Sequence, residues 1–207
     1  MAAADATLSR SEKQARTRSS LLAAASSLFA ERGLEGASID DVAAEAGYTK
    51  GAFYANFSSK EELFLAILEQ KFSAELERLD AQLAGGEPIG DQARDAADDF
   101  ISFVHSDPEW PRLYFEFAAH ATRDEAFARE FAARQRALRD RIAELFRRRA
   151  KELAMEPPLP FGEIAAMTYF MADGFLLDQL IDPAIDDELY SKMLSIFIRG
   201  LQAEAAD

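Results

Sequence analysis

Residues Ser38-Ile-Asp-Asp-Val-Ala-Ala-Glu-Ala-Gly47-Tyr-Thr-Lys-Gly-Ala-Phe-Tyr-Ala-Asn-Phe57 decide the fold. Ser38 is placed to cap a helix by accepting a hydrogen bond from a free backbone N–H two or three residues on. Ile39, Val42, Ala43 and Ala46 then fall on one face at helical spacing. Gly47 follows where a helix ends in a left-handed residue, a conformation glycine adopts without strain. Phe53 and Phe57, at i and i+4, form the inner side of a second short helix, leaving Thr49, Lys50, Gly51, Ala52, Tyr54 and Asn56 outward. An aromatic inner pair under a small, polar, singly basic outer face suits a helix that enters the DNA major groove. The stretch reads as a helix-turn-helix.

The chain around it has 207 residues, long enough for a small domain attached to a larger one or for one elongated bundle. About half of the residues are apolar, and there is no cysteine. That rules out disulfides, thiolate metal sites and a cysteine nucleophile. No secretory signal opens the chain, and no apolar stretch is read as approaching the roughly 20 residues that span a bilayer, so a soluble cytoplasmic protein is expected. The net charge of −14 is unevenly placed: residues 1–60 carry seven Lys/Arg and seven Asp/Glu, and residues 61–207 carry 16 and 30. A duplex repels an acidic body, so the neutral end is the part able to approach phosphate.

Residues 1–11 read as a disordered tail, 12–60 as the helix-turn-helix domain and 61–207 as a helical body. The first helix carries Leu21, Leu22, Ala25, Leu28 and Phe29 inward and stops at Gly33, with Lys13, Arg16 and Arg18 crowding its first turns. Ser59 and Glu62 form a capping box for a fourth helix reaching about Leu83. Its early apolar residues face the first three helices, and Phe72, Leu76, Leu79 and Leu83 face the body, so it links the two halves. Further helices are read over about 91–105, 108–122, 125–153, 162–180 and 186–203. The helix from about Gly162 to Leu180 is apolar almost all round and must be covered on every side. Strand periodicity is absent, and the fold class is all-α.

These residues resemble the TetR/AcrR family of bacterial transcriptional regulators. The resemblance is carried by Thr17-Arg18, the Leu-Leu-Ala-Ala-Ala segment, Leu28-Phe29, Gly33, Ser38-Ile39, Val42-Ala43, Ala46-Gly47, Thr49-Lys50-Gly51, Phe53-Tyr54, Phe57 and Ser59-Lys60-Glu61-Glu62-Leu63. It covers residues 15–65, roughly a quarter of the chain, and departs at Tyr48, where the family commonly has a smaller Val. It implies a ligand-responsive repressor that binds a palindromic double-stranded operator as a homodimer and is released by a small, mainly apolar inducer. The implied dimer is a four-helix bundle of the last two helices, with Ile164, Met167, Met171, Phe175, Leu189, Met193, Ile196 and Phe197 at its seam. Self-burial of the all-round apolar helix points the same way.

The residues expected at DNA are Arg18, Ser38, Thr49, Lys50, Gly51, Ala52, Tyr54, Asn56 and Lys60. Lys50 is placed to reach a guanine edge or a phosphate. Lys60 lies at a helix start, whose free N–H groups attract phosphate, and capping alone explains Ser38 equally well. Phe100, Phe103, Trp110, Tyr114, Phe117, Phe170 and His120 are expected to line an inducer cavity. Aromatics at this spacing read as plain core without the resemblance. Arg147-Arg148-Arg149 reads as a solvated or salt-bridged face. No spacing suggests a metal, a cofactor or an enzyme's catalytic set. Two alternatives stay open: a ligand-independent helix-turn-helix activator or DNA organiser, and a small-molecule binder whose helix-turn-helix no longer works. The fourth helix and its contacts with the helix before Asp107 are the expected path from inducer to DNA.

Overall fold

In the computed structural model, which describes residues 9–85 and 88–204, the Ser9 hydroxyl accepts the Glu12 N–H, and the Glu12 carboxylate accepts the Ser9 N–H at 2.7 Å. This capping box starts α1 (Arg10–Gly36). The expected tail of residues 1–11 is therefore corrected at Ser9–Ser11, which belong to the cap and first turn. Residues 1–8 lie outside the described chain. Gly33, at φ 69° and ψ 177°, breaks α1 before a last turn.

Then come α2 (Ile39–Glu45), α3 (Lys50–Tyr54), α4 (Lys60–Leu83), α5 (Ile89–Ser106), α6 (Glu109–Ala121), α7 (Glu125–Glu152), α8 (Phe161–Ile181) and α9 (Glu188–Glu204). No strand occurs among the described residues. The protein is all-α. The expected helix ends hold within two residues except at α1, which resumes for a last turn to Gly36 beyond the expected stop at Gly33, and at α3, which closes at Tyr54. The starts of the first eight helices have local causes: serine, threonine or aspartate side chains cap α1 to α4 and α7, and Pro88, Pro108 and Pro160 precede α5, α6 and α8. At α4, Ser59 accepts the Glu62 N–H at 3.1 Å. The Glu62 carboxylate, however, returns to the N–H and hydroxyl of Ser58 at 2.7 and 2.6 Å.

Two apolar cores result. The larger joins α1, α2 and α3 to α4, α6 and the start of α7 through Leu21, Phe29, Val42, Phe53, Phe57, Phe64, Phe117 and Phe127. The smaller joins α5, α8 and α9 through Ala97, Ile101, Phe175, Tyr190 and Leu194. Burying one such Phe removes water from 150–250 Å² of surface, so the aromatic block dominates the larger core's stability.

α8 requires a correction. By length and composition it is long and apolar enough to cross a membrane, 21 residues containing an 18-residue stretch with a mean hydropathy of 1.2, whereas no apolar stretch was read as approaching that length. Asp173 and Asp178 interrupt that stretch without lowering its average below that level. In the fold, α8 packs on α7, α6 and α9 and buries Ile164, Ala165, Thr168 and Phe175. Asp173 near its middle would be costly in hydrocarbon, by about 2.5–3.5 kcal/mol on insertion scales.

Candidate nucleic-acid interface and ligand cavity

Ser38 and Thr49 start α2 and α3. The Ser38 hydroxyl accepts the Asp41 N–H at 3.1 Å, and the Asp41 carboxylate accepts the Ser38 N–H at 3.0 Å. The Ser38 hydroxyl donates to the same carboxylate at 2.6 Å, and this bond, followed by that from the Ser38 N–H, holds the Asp41 carboxyl below the usual range. The Thr49 hydroxyl accepts the Ala52 N–H at 3.3 Å, which places Thr49 at the mouth of α3. Between the helices Gly47 adopts φ 76°. The Tyr48 hydroxyl turns back to α1, where hydrogen bonding to Thr17 lowers its pKa. Phe53 and Phe57 are fully buried, as their spacing predicts, and Tyr54 is 52% exposed.

The basic residues are less free than the sequence reading supposes. The Lys50 ammonium donates to Asp40 on α2 at 2.8 Å, and this contact raises its pKa. Arg18 donates to the Asn56 carbonyl at 3.2 Å and lies over the Phe57 ring at 4.2 Å. Asn56 donates back to the Ala52 carbonyl at 2.9 Å, closing the end of α3. The Lys60 ammonium donates to the carbonyls of Leu34 and Ala37 at 2.7 and 3.0 Å. It therefore satisfies acceptors left free where α1 breaks. Arg18, Asn56 and Lys60 are half-buried, and Ser38, Thr49, Lys50 and Gly51 are exposed.

The break in α1 is also held from the body. Glu116 of α6 accepts the Leu34 N–H at 2.6 Å, and its carboxylate fills the space a Cβ on Gly33 would need, 3.0 Å away. One helical turn back, α6 turns Trp110, Pro111 and Tyr114 into a cavity of about 260 Å³ between the two cores. Phe72, Leu76 and Leu79 of α4 and Phe100 and Phe103 of α5 form one side of it. Ile142 and Phe146 of α7, Tyr169 and Asp173 of α8, and Tyr190 and Ile198 of α9 form the other. α4 is also tied to α5 by ion pairs, Lys71 to Asp107 and Arg78 to Asp99 at 3.2 Å.

The wall is mostly apolar with a few aimed polar groups. The Tyr114 hydroxyl meets the Tyr169 hydroxyl at 2.6 Å and accepts from Gln135 at 2.7 Å. Burial pushes both phenols up, Tyr169 to about 12. Desolvation also raises the carboxyls of Asp173 and Glu75. Arg149 donates to Gln92 at 3.1 Å and to the Gly85 carbonyl at 2.9 Å. Arg147 and Arg148 pair with Glu144 and Asp80, the salt-bridged face expected of that run.

Of the expected lining, Phe100, Phe103, Trp110 and Tyr114 face the cavity. Three residues are corrected. Phe117 is fully buried among Phe29, Phe64 and Phe127. His120 packs on Phe127 at 5.2 Å between ring centroids. Phe170 is 60% exposed on the outer side of α8. Phe117 and His120 occupy the later turns of α6, which face α1 and α7, while Trp110 and Tyr114 occupy the earlier turns. The sequence reading missed Glu75, Tyr169, Asp173 and the Glu116 contact. An acid inside an otherwise apolar stripe, as at Asp173 and Glu116, is the signal that marks them.

Comparison with known proteins now decides the family. Residues 21–67 match bacterial regulatory proteins of the tetR family, and residues 90–203, more than half of the chain, match the C-terminal part of BetI-type transcriptional repressors. The chain belongs to the TetR family. This TetR-family chain is a DNA-binding transcriptional regulator, as are its relatives. It is 35% identical over 99 residues to the transcriptional activator FasR of Mycolicibacterium smegmatis, covering 48% of this chain and 45% of that one. It is also 35% identical over 127 residues to a transcriptional repressor of Streptomyces coelicolor, covering 56% and 62%. It thus spans about half the length of the first and less than two thirds of the second. The regulator YfiR of Bacillus subtilis matches more evenly, 26% over 171 residues and 82% of each chain. Among solved structures, a TetR-family regulator of Mesorhizobium loti aligns at a TM-score of 0.75 and 17% identity over 95% of this chain and 98% of that one. FadR of Bacillus subtilis, solved in complex with stearoyl-CoA, aligns at 0.69 and 14% over 86% and 95%. At such identities the likeness speaks to the fold.

The last two helices of this TetR-family chain leave an apolar outer face. Met167, Phe170, Leu177 and Ile181 of α8 and Leu189 and Ile196 of α9 are exposed. Of the residues expected at the seam, Ile164 lines the cavity and Phe175 is buried in the smaller core. Met171 and Phe197 pack against that core, and Met193 is half-buried. Ile164 and Phe175 are thus corrected. α8 is apolar on two opposite faces, and only one looks outward.

Proposed function

We propose that this chain is a ligand-responsive repressor that binds a palindromic operator as a homodimer in the cytoplasm. Residues 12–60 form the DNA-reading unit and 61–207 the sensing and dimerising body. The observation that carries this reading is α6: its first turns line the cavity, and its Glu116 holds the backbone where α1 breaks. A molecule that moves Tyr114 moves the same helix that fixes the helix-turn-helix. The Lys71–Asp107 and Arg78–Asp99 pairs give α4 a parallel role.

Lys50, Gly51, Ala52 and Tyr54 face the major groove, with Ser38 and Thr49 at the flanking phosphates. Arg18, Asn56 and Lys60 act indirectly, by fixing α3 and the α1 break, which their internal hydrogen bonds support. The exposed α8–α9 face covers its copy in a second protomer, which sets two α3 helices about 34–36 Å apart on successive major grooves. An inducer favours a dimer state with another spacing and releases DNA by its differential affinity for the two states. The cavity favours a mainly apolar inducer and speaks against a ligand-independent DNA organiser.

The test is fluorescence anisotropy with the DNA upstream of the gene itself. Binding as a dimer, lost roughly tenfold in Lys50→Ala, supports the reading. Unchanged affinity in that variant overturns α3 as the reader.

A further inference from the structure

The cavity's charges are unevenly compensated, and this points to the class of molecule it holds. Two cations line it, and each already has its own acid: Lys71 pairs with Asp107, and Arg149 pairs with Glu152 at 3.2 Å. The two lining carboxylates are worse provided. Glu75 meets Arg78 at 2.6 Å, and that one guanidinium also serves Asp99 at 3.2 Å. Asp173 makes no ion pair among the described residues, and the nearby Tyr114 hydroxyl only partly offsets the cost of its burial. Arg139 acts on Asp173 only from a distance, its guanidinium lying over the rings of Tyr169 and exposed Phe170 at 5.3 and 5.8 Å. The same cavity is lined by the rings of Phe100, Phe103, Trp110, Tyr114, Tyr169 and Tyr190.

Resting on the inducer reading above, we propose that the cavity takes a compact hydrophobic organic cation, its charge held by Asp173 and the rings of Tyr114 and Tyr169. An ammonium is drawn to the negative faces of aromatic rings, the more so when desolvated, and it supplies the counter-charge that Asp173 lacks. A fatty carboxylate would meet two carboxylates and no free cation. A neutral hydrocarbon would leave Asp173 facing an apolar molecule without a counter-charge. At about 260 Å³ the space is at the small end of ligand pockets, typically about 300–1,000 Å³. It suits one ring and a small charged head.

Trp110 is the sole tryptophan and lines the cavity, so its emission reports occupancy directly. Three probes of one shape separate the classes: benzyltrimethylammonium, its neutral carbon isostere neopentylbenzene, and anionic benzylphosphonate. The ammonium is expected to bind at least about tenfold more tightly than either of the others. Asp173→Asn should remove that preference while changing the hydrocarbon's affinity by less than about twofold, the latter showing that the cavity is intact. Asp173→Ser serves the same purpose should the amide variant fail to fold. Equal affinity for the ammonium and the hydrocarbon, tighter binding of the phosphonate, or an ammonium preference unaltered in both variants overturns the assignment. DNA affinity is read separately by anisotropy. Ammonium binding that releases no DNA supports the ligand class and overturns the inducer reading.

Discussion

Lys60 offers the sharpest test, because two roles for it give opposite results. Lys60→Met keeps most of the aliphatic stem and deletes the ammonium that donates to the Leu34 and Ala37 carbonyls at 2.7 and 3.0 Å. Hydrogen bonds to a charged group contribute about 1.5–3 kcal/mol each. The ammonium is half-buried, and water can reach the freed carbonyls in part, so the pair together is worth about 2–3 kcal/mol. In a chain of this length that lowers Tm by roughly 4–12 °C. Circular dichroism melting reads it. The same variant is then titrated onto promoter DNA between low and moderate salt. A residue turned inward leaves the slope of log affinity against log salt unchanged, whereas a lost phosphate contact lowers it by about 0.9. A lowered slope with an unchanged Tm would refute the structural role and restore Lys60 to the phosphate backbone.

Gly33→Ala should be among the most destabilising changes at any glycine here. Its φ 69°, ψ 177° belongs essentially to glycine alone, and the new methyl would press on Glu116, so a loss of about 2–3 kcal/mol by urea unfolding is expected. Gly47→Ala, whose Cβ meets nothing within 4 Å, should lose about 1–2 kcal/mol. Phe170→Asp with Ile196→Asp, at 60% and 64% exposure, should leave the fold intact and yield a monomer in sedimentation, and a persistent dimer would place the interface elsewhere. Acid should weaken the helix-turn-helix end. Asp41 and Glu62 have depressed carboxyls, so their contribution is full above the unfolded values near 4 and is lost as pH falls through the lower folded ones. Asp41→Asn and Glu62→Gln should flatten the fall of the urea midpoint between about pH 5 and 3.

What the sequence discloses follows from how local the cause is. Ser38, Gly47 and the Phe53–Phe57 pair act within a few residues of themselves, and all lie where their spacing places them. Pro88, Pro108 and Pro160 mark helix starts for the same reason. α8 was legible as buried on more than one side but not as to which side, because its apolar residues point in every direction and only packing against α7 and α9 sorts Phe175 inward from Phe170 outward. Lys60 looked like a phosphate ligand because its acceptors lie 23 and 26 residues upstream. The lower half of the aromatic set failed similarly. Phe117 shares a stripe with Tyr114, yet one turn along α6 the neighbour changes from a void to the Phe29 and Phe64 rings.

The position of the cavity between two separate cores has an engineering consequence. Its α5, α8 and α9 walls belong to the core that holds none of the DNA-reading helices, while α4 and α6 belong to the core that does. Substitutions at Ile198 or Leu194 can therefore reshape the chamber without touching the Glu116 and Lys60 contacts at the α1 break. A sensor for a new compound is best sought by varying those outer walls alone. The chamber's shape can then change while the contacts that hold the α1 break stay fixed.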